Sequence, residues 1–211
     1  MILNFTKIML YSEKKNAQTM LDEKADLILL DEQELSELGK GKLEILDIYN
    51  ENNERIGAAS RKAYIKLGLI TRAVHIFVFN KSGEVFLQKR SENKDTYPGF
   101  FAPSASGHID LGEESLHAAK RELKEELGVN AELKFLGSFK CFMPENLVNQ
   151  FYDFYMAVCD NKISANKAEI ESGVWVSINE LSNLNQEKFV PAMKHEIRLF
   201  LSDMKNVLKE M

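Results

Sequence analysis

The residue pattern predicts a mixed α/β protein in which one β-sheet lies between helical layers. Three observations carry that prediction. Strand-like stretches flank a single long internal helix at residues 113–127. Two of those stretches, AVHIFVFN (73–80) and EVFLQKR (84–90), alternate apolar and polar residues around KSG, as a hairpin does. The chain also closes on Met193, Ile197, Phe200, Leu201, Met204 and Leu208, which recur at helical spacing after Pro191. With 211 residues there is room for one sizeable core and too little for two generous domains. The expected division is an extension over residues 1–40 and a domain over residues 41–211.

In the extension, Ala17, Met20, Leu21, Lys24 and Leu27 suggest a weak helical face. Asp31 and Glu34 resemble a capping box ahead of Leu35 and Leu38, and Gly39 and Gly41 close the segment. Packing on the domain, self-association into a homodimer and fraying are all open to it. LEILDIY (43–49) then reads as a half-buried strand, Asn50 to Asn53 as a turn, and SRKAYIKLG (60–68) as a short helix capped by Ser60. After the hairpin, SENKDTYPGFFAPSAS (91–106) reads as a loop pinned by Tyr97, Phe100 and Phe101. Beyond the central helix, residues 131–143, 150–159 and 173–177 read as strands, with SINEL (177–181) as a short helix capped by Ser177.

Composition excludes several classes. Hydrophobic residues at 45% and charged residues at 28% are those of an ordinary globular chain. A net charge of −5, from 27 basic and 32 acidic residues, supplies no field for bulk nucleic acid or an anionic membrane. A phosphorylated ligand would need local neutralisation, which a cation held by carboxylates provides. Two cysteines, Cys141 and Cys159, make no disulfide framework, so a reducing, cytoplasmic setting is expected. The first ten residues are apolar around Lys7 with no cleavage pattern, and no apolar run approaches the length of a membrane span.

The chemistry concentrates in GHIDLGEESLHAAKRELKEELGV, residues 107–129. Leu116, Ala119, Leu123 and Leu127 would face the core, while Glu122, Glu125 and Glu126 share another face at i, i+3, i+4. Like charges so placed destabilise a bare helix by about 0.2–0.5 kcal/mol per pair, and a hard cation reverses the sign. Arg121 is placed to hold one carboxylate in a fixed rotamer, and Gly128 to end the helix in a left-handed conformation. A solvated acidic face is the bland alternative. Against it, the stretch satisfies G-x5-E-x7-R-E-U-x-E-E-x-G-U, with U aliphatic, at every specified place.

That pattern is the Nudix box, and the chain resembles the Nudix hydrolase family. The resemblance implies an α/β/α sandwich with a mixed sheet, a loop-helix-loop catalytic motif, and Mg²⁺- or Mn²⁺-dependent hydrolysis of a small-molecule diphosphate. It implies Glu122, Glu125 and Glu126 as metal ligands with Gly107 supplying a carbonyl or tight turn, and Glu125, Glu126 and Arg121 as catalytic residues. Glu113 would hold the motif or meet the metal through water. The region from Arg72 to Val129 is also similar to the branch containing type 1 isopentenyl-diphosphate isomerase, through His75, LQKRS, Lys94, YPGFF and the Gly107–His108 pair. On that likeness Arg90 and Lys94 clamp substrate phosphates, and His108 is a substrate contact or a packing residue.

Three departures favour a hydrolase over an isomerase. Ser106 stands where the isomerase pattern carries its catalytic Cys, and a hydroxyl lacks the proton chemistry of a thiol. Gly68 stands where that pattern has a His seven residues before the position of His75, and here the R-E-U-x-E-E segment is complete. With that partner absent, His75 reads as a structural histidine, and His117 and His195 as helix-surface residues. A silent nucleotide-sensing protein is a further alternative, weakened by the intact glutamates. Glu125, Glu145, Asp153, Glu169 and Glu171 all remain open as the general base. Phe139, Phe142, Phe151, Tyr152 and Tyr155 read as core residues before they read as a stacking platform.

Overall fold

Asn50, four residues before Glu54, and Asn80, four before Glu84, make the same turn twice, and each turn starts the pairing of a sheet. Both side chains accept backbone amides two and four residues ahead, at 2.9–3.0 Å. The computed structural model describes residues 7–10, 27–30, 33–34, 43–94, 96–143 and 148–210. These residues divide into two compact units.

The first unit takes the described residues up to Ala73, with His108–Glu114 and Lys140–Tyr152. Its sheet comprises β1 (Lys7–Leu10), β2 (Leu27–Leu30), β3 (Ile45–Tyr49) and β4 (Arg55–Ser60), in the order β1-β2-β4-β3. β2 runs parallel to β1 and β4, whereas β3 and β4 are an antiparallel pair. Strand β4 was not expected, because its Gly57, Ala58 and Ala59 carry no β-branched or aromatic signature. It is nevertheless central, with Ala58 and Ala59 fully buried. Helix α1 (Arg61–Leu67) begins where Ser60 Oγ accepts the Ala63 amide at 3.1 Å and ends at Gly68 with φ 63°. Leu46, Ile48, Ala59, Ala63, Tyr64 and Leu69 form its core.

In the segment expected to be a helical extension, Leu27 opens strand β2, so residues 7–10 and 27–30 share a sheet with residues 45–60. Ala17, Met20, Leu21, Lys24, Asp31, Leu35, Leu38, Gly39 and Gly41 lie outside the described residues.

The second unit takes Val74–Gly107, Ser115–Phe139 and the chain from Asp153 onward. Through it run strands β5 (Thr71–Phe79), β6 (Glu84–Arg90), β7 (Phe101–Ala102), β8 (Ala105–His108), β9 (Lys134–Met143), β10 (Val148–Val158) and β11 (Ile170–Ser177). The sheet order is β11-β6-β5-β10-β9, with β7 on β6 and β8 on β5. Val85 and Leu87 face an apolar cluster with Phe77, Phe79, Phe154 and Met193, Ile197 and Met204 of the terminal helix α3 (Pro191–Glu210). Strand alternation turns Gln88 to the opposite face, where it meets Glu126 of helix α2 (Ser115–Leu127). Helices therefore cover both faces, and the fold is an α/β sandwich.

Three local expectations change. The stretch 91–106, read as a loop, contains β7 and the first half of β8, although Tyr97, Phe100 and Phe101 do pack on the core as anchors. SINEL forms a turn, with the Leu181 amide on the Ser177 carbonyl, and no helix. Leu116, placed on the core face by spacing, is 39% exposed, because α2 buries Ala118, Ala119, Leu123, Glu126 and Leu127 instead.

Candidate active site

Helix α2 is entered through a turn in which the Asp110 amide donates to Glu113 Oε2 at 3.1 Å and Gly112 adopts φ 71°. Glu113 thus holds the motif's entrance. Gly128, at φ 66°, ends the helix as expected, its amide on the Lys124 carbonyl at 2.9 Å.

On this helix the three glutamates have three different surroundings. Glu126 is buried, at 7% exposure, where an apolar face was not expected to include it. Its Oε2 accepts from Gln88 Nε2 at 2.8 Å and from the Ser106 amide at 3.1 Å. Burial first, and the charge of Glu122 second, push its carboxyl up to about 8, against the pull of those two hydrogen bonds and of the Lys94 charge. Glu122 is held by Arg121 Nη1 at 2.6 Å, with its side chain 13% exposed. Glu125 turns toward solvent, 59% exposed and 3.5 Å from the same guanidinium.

Gly107 is shaped by this cluster. A Cβ there would sit 2.0 Å from Glu122 Oε1, so the carboxylate occupies the space that any other residue would need. Glu122, Glu126, Gly107 and Arg121 are therefore brought together, and Glu125 is one helical position out. Among the described residues no three His, Cys, Asp or Glu side chains are already gathered around a point. The donor set still fits a hard divalent cation. Two crowded carboxylates and a backbone carbonyl are oxygen ligands, and Mg²⁺ takes one or two carboxylates while keeping waters.

The basic residues are held differently. Lys94 pairs with Glu169, and its charge is the smallest of the influences that pull the Glu126 carboxyl down. Arg90 donates from Nε and Nη2 to the Thr96 carbonyl at 3.0 and 2.9 Å, clipping its own loop. His75 is buried with Nδ1 2.7 Å from Glu196 Oε1, the structural role expected of it. His117 and His195 are exposed. Among the open choices for a base, Asp153 is buried and bonded to Ser138 at 2.5 Å, Glu171 pairs with Lys89, and Glu145 lies outside the described residues. Phe139, Tyr152 and Tyr155 are buried as expected, whereas Phe142 is 59% exposed beside the Lys140 ammonium.

His108 belongs to the first unit. Its Nδ1 lies 3.0 Å from Glu44 Oε1 and its ring meets Tyr64 edge-on at 5.6 Å. In the same unit Asp47 Oδ2 accepts the Gly112 amide at 2.9 Å while Oδ1 takes Arg55 Nε at 2.5 Å, and the Leu111 amide reaches the Ile45 carbonyl. Sequence reasoning missed Gln88, Glu44 and Asp47. A polar residue closing an apolar strand run, as Gln88 does after Val85, Phe86 and Leu87, was the available signal for the first; nothing marked the other two.

The NUDIX domain family model matches residues 69–200. An isopentenyl-diphosphate Delta-isomerase of Serratia proteamaculans is 34% identical over 69% of this chain and 85% of its own length. An uncharacterized Nudix hydrolase of Clostridium acetobutylicum is 39% identical over 61% of this chain and 63% of its own. A crystal structure of a Deinococcus radiodurans protein superposes with a TM-score of 0.62 at 25% identity, covering 74% of this chain and 98% of that one. Strands β1–β4 and helix α1 precede the matched residues.

Proposed function

The chain belongs to the Nudix family, as an enzyme of the hydrolase type, and on that premise we propose that it cleaves a diphosphate linkage in a nucleoside diphosphate derivative or a related small molecule, with Mg²⁺ or Mn²⁺ as cofactor. The observation that carries this reading is the buried Glu126 carboxylate beside Glu122, with a glycine whose missing side chain leaves room for Glu122. When bound there, a divalent cation supplies charge neutralisation for the diphosphate and lowers the pKa of a coordinated water.

The protein's own groups do the rest. Glu122, Glu126 and the Gly107 carbonyl hold the cation, and Glu125 joins them or serves as base. Arg121 orients Glu122. Lys94 exchanges Glu169 for a substrate phosphate oxygen, a charge-assisted bond that is lost with either partner. Arg90 holds the loop carrying Lys94 and clamps phosphate with it, and His108 is a substrate contact or a packing residue. The two free thiols, Cys141 and Cys159, suit a cytoplasmic setting, and no described helix is long and apolar enough to cross a membrane.

The isomerase relative supports a second reading, allylic proton transfer on isopentenyl diphosphate. Two positions weigh against it. Ser106 replaces the thiol, and Gly68 is the left-handed cap of α1, where an imidazole would strain the backbone. A panel of nucleoside triphosphates, sugar nucleotides, dinucleoside polyphosphates, coenzyme derivatives and isoprenoid diphosphates, assayed with Mg²⁺ for phosphate and pyrophosphate, tests the hydrolase. Interconversion of isopentenyl and dimethylallyl diphosphate without phosphate release would overturn it. Binding measured by calorimetry with no turnover would identify a silent sensor.

A further inference from the structure

Gln88 is 1% exposed on β6, in a run whose preceding residues Val85, Phe86 and Leu87 are all buried and apolar. An apolar side chain would fill such a place at no polar expense, so its amide calls for a reason. The reason lies in its partners. Nε2 donates to Glu126 Oε2 at 2.8 Å and to the Ser104 carbonyl at 3.3 Å. Both neighbours are acceptors, which settles the amide's orientation: only the NH₂ end can face them.

Ser104 is itself pinned. It is fully buried, its Oγ accepts the Val78 amide at 2.7 Å and donates to the Phe86 carbonyl at 2.5 Å, tying β5 to β6 beneath Gln88. The Gln88 amide therefore has a fixed origin. On the carboxylate, Gln88 and the Ser106 amide both land on Oε2. Both donors to this carboxylate are thus on one oxygen, and Oε1 is the other.

We propose that Gln88 is a positioning residue for Glu126: by occupying Oε2 from a rigid strand it presents Oε1 as the single ligating oxygen of that carboxylate. This rests on the reading of Glu126 as a cation ligand. A carboxylate held at one oxygen binds a cation through the other in one direction, which suits the narrow octahedral demand of Mg²⁺ better than a freely rotating pair.

The test titrates Mg²⁺ alone into the full-length protein by calorimetry, with thermal unfolding in metal-free buffer alongside. Gln88→Met keeps the volume and removes both donors, and it should weaken Mg²⁺ binding about tenfold with the unfolding midpoint nearly unchanged. Gln88→Asn keeps an amide too short to span to Glu126, carries the same measurement should the Met variant not fold, and should show the same loss. Wild-type affinity in either folded variant overturns the proposal, as does loss of fold in both, which would make Gln88 a packing residue. Wild-type protein that binds no Mg²⁺ would overturn the cation reading itself, and a wild type that binds while Glu126→Gln binds equally well would do so for Glu126.

Discussion

Glu44 and Glu126 lie in different units, each bonded to a residue at or beside the start of the box, and their environments move them in opposite directions. Burial raises both. At Glu44 it is outweighed by the hydrogen bond and charge of His108 and by Arg61, so the carboxyl falls to about 2. At Glu126 burial is joined by Glu122 and opposed only by an amide, a backbone N–H and the charge of Lys94, so the carboxyl rises to about 8. The first carboxylate is complete with the cations the chain supplies. The second meets a like charge, that of Glu122, and its two hydrogen-bond donors are neutral. The box is divided along the same line: residues 108–114 are gripped by Glu44, Asp47 and the Ile45 carbonyl, while Gly107 and α2, with the glutamates proposed as ligands, belong to the other unit.

Removing Glu126 should break function and spare the fold. Glu126→Gln keeps the volume and replaces a carboxyl that burial already pushes up to about 8, so kcat should fall by about 100-fold or more while the melting temperature holds or rises. A variant that keeps full activity would end the assignment. Lys94→Ala comes next, with kcat/KM reduced about tenfold through KM, the worth of one charge-assisted phosphate contact. Unchanged kinetics would remove Lys94 from the site.

On the gripping side the order of effects should invert. Asp47→Ala removes the acceptor of the Gly112 amide and of Arg55 Nε, and should lower stability by about 1–3 kcal/mol in urea unfolding, with a smaller loss of kcat. Activity lost at unchanged stability would place Asp47 among the catalytic groups. The smallest effect belongs to Glu44. Its folded carboxyl lies below the ordinary 4.5, so the stability it contributes is present above 4.5 and disappears as pH falls toward 2. Its side chain is 37% exposed, and after solvent screening that contribution should be about 1 kcal/mol. Glu44→Gln should flatten the acid limb of the stability curve by that amount, and a parallel curve would contradict the pairing.

Local order was legible wherever residue type and period agreed. The hairpin at residues 73–90, the caps at Ser60 and Gly128, the terminal helix and the box glutamates all follow from patterns a few residues long. Strand β4 was hidden because glycine and alanine signal nothing; it is central because its backbone pairs with β2 on one edge and β3 on the other. Leu116 and Glu126 exchanged places relative to expectation because helical spacing defines a stripe but not its width, and the neighbouring strand offered Glu126 an amide.

What the sequence determined by itself was the chemistry: a glycine, an arginine and three glutamates at spacings that one helix must bring to one side. The tertiary structure decided which carboxylate is buried, which oxygen of it is held, and what grips the box at its entrance. Those depend on Gln88, Ser106, Asp47 and Glu44, up to 65 residues from the glutamate they serve or the loop they hold, and no local pattern records a hydrogen bond made across that distance.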